Sequence, residues 1–239
     1  MDFDGTLAEF NVDPEAVLLP PPRQMLLRTL SQRADLSAGI VSGRRITDLR
    51  QRVPADPSLF FAGLHGLEIE GPGLRFAHSG VSLAAPAVSV LARDLRAAVR
   101  SLPGVFVEDK TYSVVLHVRG ASKADRLHAT TRFNALAEPF LSDGTLRLQP
   151  GDAILELLPN VDWAKGDAVG AIVRHVEVET KEPVWPVYIG DDHTDEDAFE
   201  HVGHNGLTVA VGRRPAGAAF QVDGPAAVEC LLKAILATE

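Results

Sequence analysis

One cysteine in 239 residues, Cys230, leaves no partner for an internal disulfide. The chain therefore reads as a protein of a reducing compartment, and a cytoplasmic location is expected. Cys230 itself is expected as a small buried residue of a C-terminal helix. Nowhere does an apolar run grow long enough to span a bilayer, and the N-terminus carries acids where a secretory leader carries a basic flank. Basic residues are outnumbered, 23 Lys and Arg against 32 Asp and Glu, for a formal net charge of -9. That balance argues against nucleic acid or an anionic membrane as partner. Tryptophan is scarce; Trp163 and Trp185 are read as packing residues. What remains is an ordinary globular composition, 46% hydrophobic and 23% charged, on a length that suits one large domain or two small ones.

Along the chain the first part alternates strand and helix. Gln24 to Gln32 reads as a helix after three prolines, Leu36 to Val41 as a buried strand, Ile46 to Arg52 as a helix stopped before Pro54, and Leu59 to Ala62 as a strand. From about Val81 the texture changes. Ala84 to Ser101 is helical, Val105 to Val107 and Ser113 to Val118 form a hairpin, and Ser122 caps a helix to Ala137. Leu146 to Leu148 and Ala153 to Leu157 form a second hairpin around Pro150-Gly151. The first rhythm then returns: helix from Lys165 to Val176, strand from Val184 to Ile189, helix from Asp195 to His201, strand from Leu207 to Val211, helix from Ala226 to Ala237. The fold class that follows is α/β, a parallel-sheet core over residues 1–79 and 159–239 interrupted by an inserted α+β domain of order αββαββ over residues 80–158.

Four places in this frame carry chemistry. Asp2-Phe3-Asp4-Gly5 sets two carboxylates on one strand face and then turns sharply away. Gly190-Asp191-Asp192-His193-Thr194-Asp195 follows an apolar strand, and acids this dense at a strand end call for a hard cation held through oxygen, for which Mg²⁺ is suited. Ser42-Gly43-Arg44 ends another strand as a small anion cradle, and Lys165 opens a helix where it can neutralise phosphate as a point charge. Each of the last two is weak alone. In open α/β sheets ligands bind at the carboxyl ends of the strands, so all four share one rim.

This set, in this order, resembles the haloacid dehalogenase superfamily of phosphohydrolases. The resemblance implies Asp2 as the nucleophile that forms an aspartyl-phosphate and Asp4 as the general acid, with its backbone carbonyl on Mg²⁺. It implies Ser42 and Lys165 as the phosphate-holding hydroxyl and amine, Arg44 as a further substrate contact, and Asp191 as an acidic metal ligand supported by Asp192 and Asp195. A finer resemblance rests on GDDHTDEDAF (190–199), VDWAKGDAV (161–169), GLHG (63–66) and EDKTYSVVLHVR (108–119). This combination is similar to the trehalose-6-phosphate phosphatase family. It implies hydrolysis of trehalose 6-phosphate, with the inserted domain as a cap that recognises the sugar through Glu108, Lys110 and Glu156. The backbone at His65 and Gly66 would line the entrance. It also implies functional pairing with a trehalose-6-phosphate synthase.

One departure from that family stands out: an arginine often found after the cap glutamate is replaced by Leu157-Leu158-Pro159, which leaves the sugar identity open. A phosphatase for sucrose phosphate or a mannosylglycerate-type phosphate is the nearest alternative. A weakly active or non-catalytic sugar-phosphate-binding protein is the other. The second is raised by the N-terminus, where only Met1 precedes Asp2. The strand that should carry the nucleophile is nearly missing, and Asp2 is expected on a fraying end. Taken without the resemblance, Glu108-Asp109-Lys110 would be a charged hairpin turn, His117 equally a packed histidine or a functional one, His193 a solvent-facing residue and Arg213-Arg214-Pro215 a solvated loop.

Overall fold

A computed structural model describes residues 1–11, 13–53, 56–151, 153–213 and 215–238. Pro54 and Arg214, each named in a sequence expectation, lie outside the described residues. The chain divides into two compact units, one of residues 1–77 and 163–239, the other of residues 78–162, against an insert expected at 80–158. No helix among the described residues is long and apolar enough to cross a membrane.

The first unit opens with α1 (Pro21–Ser31), β1 (Gly39–Val41), α2 (Ile46–Arg52), β2 (Phe60–Gly63), β3 (Glu68–Gly71) and β4 (Leu74–Ala77). The inserted unit follows as α3 (Ser79–Val99), β5 (Phe106–Asp109), β6 (Val114–His117), α4 (Lys123–Ser142), β7 (Leu146–Gly151) and β8 (Ile154–Pro159). The first unit then resumes with α5 (Lys165–Thr180), β9 (Val187–Gly190), α6 (Glu196–Val202), β10 (Leu207–Val211), β11 (Phe220–Val222) and α7 (Pro225–Ala237).

In the first unit β1 pairs parallel with β2, and β9, β10 and β11 form a second parallel group. Residues 1 and 2 lie between the two groups. The Asp2 amide donates to the Ile189 carbonyl at 2.8 Å, and the Val41 amide donates to the Met1 carbonyl at 2.9 Å. Residues 1 and 2 thus lie where a central strand runs, and the expected fraying of Asp2 does not occur: its residue is 5% exposed. The reason is lateral. A short segment bonded on both edges has no free edge from which to peel, and Phe3, fully buried, anchors it in the apolar layer with Ile40, Phe61 and Ile189. That layer is covered by α1, α2 and α7 through Leu27, Leu49, Val228 and Leu232. The other sheet face packs Val41, Ala62 and Tyr188 against Ala168 of α5 and Phe199 of α6.

β3 and β4 form an antiparallel hairpin beside β2 that the sequence did not announce. Its residues alternate Glu, Ile, Glu, and only Ile69 of that trio is buried, so the period-2 signal is two charges wide around one apolar position. Cys230 is exposed rather than buried. Val228 and Leu232 take the inner face of α7, and a residue two positions from each lies more than half a turn away. Trp185 is 64% exposed and does not pack as expected, whereas Trp163 stacks on Phe76 and donates its indole N–H to the Gly66 carbonyl.

In the inserted unit the sheet order is β5-β6-β8-β7, all antiparallel. One face, through Val114, Leu116, Leu146 and Leu157, packs on Val88, Leu91 and Leu95 of α3 and Phe133 of α4. Ser122 caps α4 as expected, its hydroxyl accepting from the Asp125 amide at 3.1 Å. Phe133 is fully buried at the centre of this layer. Phe133→Ala should cost about 3–5 kcal/mol, the lost transfer energy plus a cavity between helix and sheet. Urea unfolding monitored by circular dichroism measures this; a loss below about 1 kcal/mol would mean the layer is not packed as described.

A candidate active site at the strand ends

The strand ends of the first unit gather the expected acids. Asp2 ends the two-residue bridge, Ser42 follows β1, and Asp191 follows β9; Lys165 is the first residue of α5. Lys165 is 3% exposed, and its Nζ donates to Asp2 Oδ1 and to Asp195 Oδ1, each at 2.8 Å. Burial alone would lower the lysine pKa, but Asp195 and Asp2 outweigh it and raise it, so the amine is firmly charged. Asp195 is fully buried and also accepts from the Tyr188 hydroxyl at 2.7 Å and from the Asp192 amide at 3.0 Å. It anchors the lysine from a fully buried position. Burial comes first and the Asp195 charge second in pushing Asp191 up to about 6. Asp2 is likewise raised, by burial first, with Lys165 offsetting part of the effect and the neighbouring acids adding to it.

Carboxylate oxygens of Asp2, Asp191 and Asp195 lie within 4.8 Å of one another. Three acids around a single lysine leave an excess of negative charge, and the donors are hard oxygens, so the cluster fits a divalent cation bound through oxygen. The turn after Asp4 makes the approach of Asp191 feasible. Gly5 adopts a φ of +82°, and a Cβ there would fall 2.2 Å from Asp191 Oδ2. Thr6 Oγ1 donates to Asp191 Oδ1 at 3.1 Å from the same turn. Asp192 stands apart from this cluster. Its side chain accepts from the His193 amide at 2.8 Å as the cap of the short helical turn His193–Asp195. The local backbone N–H groups compete for its oxygens, which is the usual fate of an aspartate just before a helix.

The two acids of the opening motif are sorted onto different cations. Asp2 takes Lys165, while Asp4 takes Arg44 side-on, Nε to Oδ2 and Nη2 to Oδ1, both at 2.7 Å. Arg44 reaches further, with Nη1 on Asp48 Oδ2 at 2.8 Å and Nη2 on the Pro14 carbonyl at 2.9 Å. Its guanidinium thus holds Asp4 in this arrangement. Ser42 is 1% exposed, and its Oγ accepts from the Arg44 amide at 3.2 Å. His65 occupies the left-handed region, φ 57°, in the short turn Leu64–Gly66, and its amide donates to the Ser42 carbonyl at 2.9 Å. His193 is exposed and pairs with Glu196.

In the inserted unit Glu108, Lys110 and Glu156 come together on the sheet. Glu156, 3% exposed, accepts at Oε1 from Ser113 Oγ at 2.6 Å and from Lys110 Nζ at 3.1 Å. Glu108 Oε2 lies 2.8 Å from His117 Nε2, and Phe106 stacks on the His117 ring at 4.1 Å. Ser113, which holds Glu156, was not singled out from the sequence, and His117, which holds Glu108, was read equally as a packed or a functional residue. Their alternation on β6 and its approach was visible, but which acids they would meet depends on strand register.

A parallel sheet with an inserted αββαββ unit and an acid–lysine cluster at its strand ends defines a haloacid dehalogenase-like hydrolase fold. It matches a haloacid dehalogenase-like hydrolase from Bacteroides thetaiotaomicron with a TM-score of 0.66 at 16% identity, over 98% of this chain and 97% of that one. A trehalose-6-phosphate phosphatase related protein is more similar, TM-score 0.84 at 24% identity over 99% and 95% of the two chains. The C-terminal domain of the C. albicans trehalose-6-phosphate phosphatase gives 0.82 at 21%, over 98% and 90%. The family model described as trehalose-phosphatase matches residues 1–223. Over 233 residues the chain is 36% identical to the trehalose-phosphate phosphatase of Mycobacterium tuberculosis, covering 95% of this chain and 58% of that protein. This chain belongs to the trehalose-phosphatase family. It spans somewhat over half the length of the curated relatives it matches.

Two measurements check the electrostatics. Lys165→Met, in a metal chelator, should destabilise the chain by about 3–5 kcal/mol, because two buried carboxylates lose their shared cation. A urea midpoint unchanged from wild type would refute the burial of that triad. In the inserted unit, burial alone would raise the Glu108 pKa, but the His117 hydrogen bond and the Lys110 charge hold it below the ordinary 4.5. The folded value lies below the unfolded one, so the ionised carboxylate adds stability above pH 4.5 that is lost as the pH falls through the folded value. The stability gap between wild type and Glu108→Gln should therefore close on acidification; a gap constant from pH 7 to pH 3, on that scale roughly the full titration range of a carboxyl, would contradict this.

Proposed function

We propose that this chain is a cytoplasmic, Mg²⁺-dependent phosphatase that hydrolyses trehalose 6-phosphate to trehalose and phosphate. The observation that carries the reading is the buried Lys165 bridge between Asp2 and Asp195 beside Asp191, in a chain of the trehalose-phosphatase family. Asp2 is the nucleophile: its carboxylate attacks phosphorus, the ester bond to the sugar oxygen breaks, and an aspartyl-phosphate forms. Asp4 is the proton carrier: with one oxygen released from Arg44 and protonated, it gives that proton to the departing sugar oxygen, then takes one from the water that attacks the aspartyl-phosphate and frees phosphate. Lys165 and Ser42 hold the phosphate oxygens, and Arg44 fixes the direction of the Asp4 carboxylate. Mg²⁺ held by Asp2, the Asp4 carbonyl and Asp191 would offset the charge of substrate and nucleophile. Phosphoryl transfer depends on such placement and neutralisation above all else.

The inserted unit, with Glu108, Lys110 and Glu156, is the sugar-recognition cap in this reading. Glutamates accept from sugar hydroxyls and the lysine donates to them. The backbone at His65 and Gly66 borders the entrance. The reaction that supplies the substrate is catalysed by a trehalose-6-phosphate synthase, the functional partner this reading entails.

A panel of sugar phosphates assayed for phosphate release, with Mg²⁺ and with a chelator, tests the reading. Trehalose 6-phosphate should give the highest kcat/KM, and the chelator should abolish release. Preference for sucrose phosphate or a mannosylglycerate-type phosphate would replace the substrate. Asp2→Asn should lower kcat by about a thousandfold or more with the fold intact. Retained turnover would remove Asp2 as nucleophile.

A further inference from the structure

Arg147 is a cation on the inserted unit's sheet that the chemistry above leaves unused. It lies on β7 opposite Leu158, and two residues on, Gln149 lies opposite Glu156. Residues two apart on a strand, and residues paired across strands, share a face. Arg147 and Gln149 therefore stand on the same face as Glu156, and through the pairings Val115–Glu156 and Glu108–Val115, on the face of Glu108. This is the face opposite the apolar layer of Leu146, Leu157 and Phe133.

The arginine is half-buried, and Nη1 donates to Gln149 Oε1 at 2.9 Å. Its Nε is buried and meets no acceptor among the described residues. Burial lowers the guanidinium pKa, and the Glu156 charge opposes the drop, so Arg147 senses that glutamate. Yet Glu156 Oε1 is already taken by Ser113 and Lys110. A fixed N–H donor without an acceptor, sheltered on a polar sheet face, is costly to keep for stability alone. A turn of the guanidinium away from Gln149 would present that N–H to a ligand oxygen, which would satisfy it.

We propose that Arg147 is a sugar-binding residue whose Nε–H donates to a hydroxyl oxygen of the polyhydroxylated leaving group. The proposal rests on the sugar-phosphatase reading and adds a donor to it. The glutamates of this face accept hydrogen bonds from hydroxyl groups, while Arg147, with Lys110, donates to hydroxyl oxygens. Because a hydroxyl both donates and accepts, a face carrying both kinds of group discriminates among sugars by the direction of each hydroxyl. Arg147 is thereby a specificity-determining residue, and it acts on the sugar, not on the phosphate.

The test uses Arg147→Gln and Arg147→Met in the full chain, the second keeping the aliphatic stem. Five quantities are compared with wild type: KM and kcat/KM for trehalose 6-phosphate, kcat/KM for 4-nitrophenyl phosphate, the calorimetric Kd for trehalose, and Tm. The KM for trehalose 6-phosphate and the Kd for trehalose should each rise about tenfold, the factor that a difference of 1.4 kcal/mol produces. The loss in kcat/KM should fall at least about fivefold harder on the sugar ester than on the aryl ester, and Tm should hold or rise because a buried unmet donor is gone. Equal losses on the two esters, an unchanged trehalose Kd, or a fall in Tm with both variants would overturn the proposal and make Arg147 a structural residue. If the wild type prefers another sugar phosphate, the substrate reading fails by itself. That ester and its free sugar then replace trehalose in the comparison, with the same outcomes deciding. A wild type that neither hydrolyses nor binds any sugar phosphate overturns both readings.

Discussion

The first unit depends on one buried cation. Lys165 lies between Asp2 and Asp195, which come from opposite ends of the chain. Neither carboxylate could be buried and ionised there without it, since burial and mutual repulsion both favour the neutral acid. The lysine also orders the backbone around it. Asp195 is held by Tyr188 and by the Asp192 amide, and Asp2 by a strand bond to Ile189, so the ion triad links α5 and β9 to the bridging residues. A small change at any member would be felt at the others, because the charges are close and poorly solvated.

The second acid of the opening motif is insulated from the first by its own cation. Arg44 engages both oxygens of Asp4 and is itself braced by Asp48, which Arg52 holds at 2.8 Å. An alternating ladder of acids and arginines thus runs from the strand ends into α2. Two carboxylates two residues apart would otherwise compete for the same cation. Separate partners give the two carboxylates different surroundings, one buried against Lys165 and one held by Arg44.

The inserted unit solves a different problem. Its α3–α4 layer makes one sheet face apolar, and the other carries a set of paired polar groups. Glu156 is almost fully buried and is tolerated because Ser113 and Lys110 satisfy it; Glu108 leans on His117. The two hairpins were legible in the sequence, and so were Glu108, Lys110 and Glu156 as polar residues in them. Their supporting hydroxyl and imidazole were not, because a strand's sequence specifies its faces but not its register against a neighbour. Arg147 was invisible for the same reason, one arginine among many until register set it on the face of Glu156.

By itself the sequence determined the α/β class, the αββαββ insertion and the four clusters at the strand ends, because these are carried by local apolar periodicity and by turn residues placed directly after strands. It also put Asp2, Asp191 and Lys165 on one rim, since parallel strands present their carboxyl ends together. Only the tertiary structure decided which charges meet. Asp195 turned out to be a buried anchor, Asp192 a helix cap and Arg44 the holder of Asp4. The β3–β4 hairpin, the exposure of Cys230 and Trp185, and the firm seating of Asp2 between two strands also emerged there. These outcomes depend on lateral hydrogen bonds and ion pairs between residues as far apart in the chain as Asp2 and Ile189, and no local pattern in the chain encodes such distances.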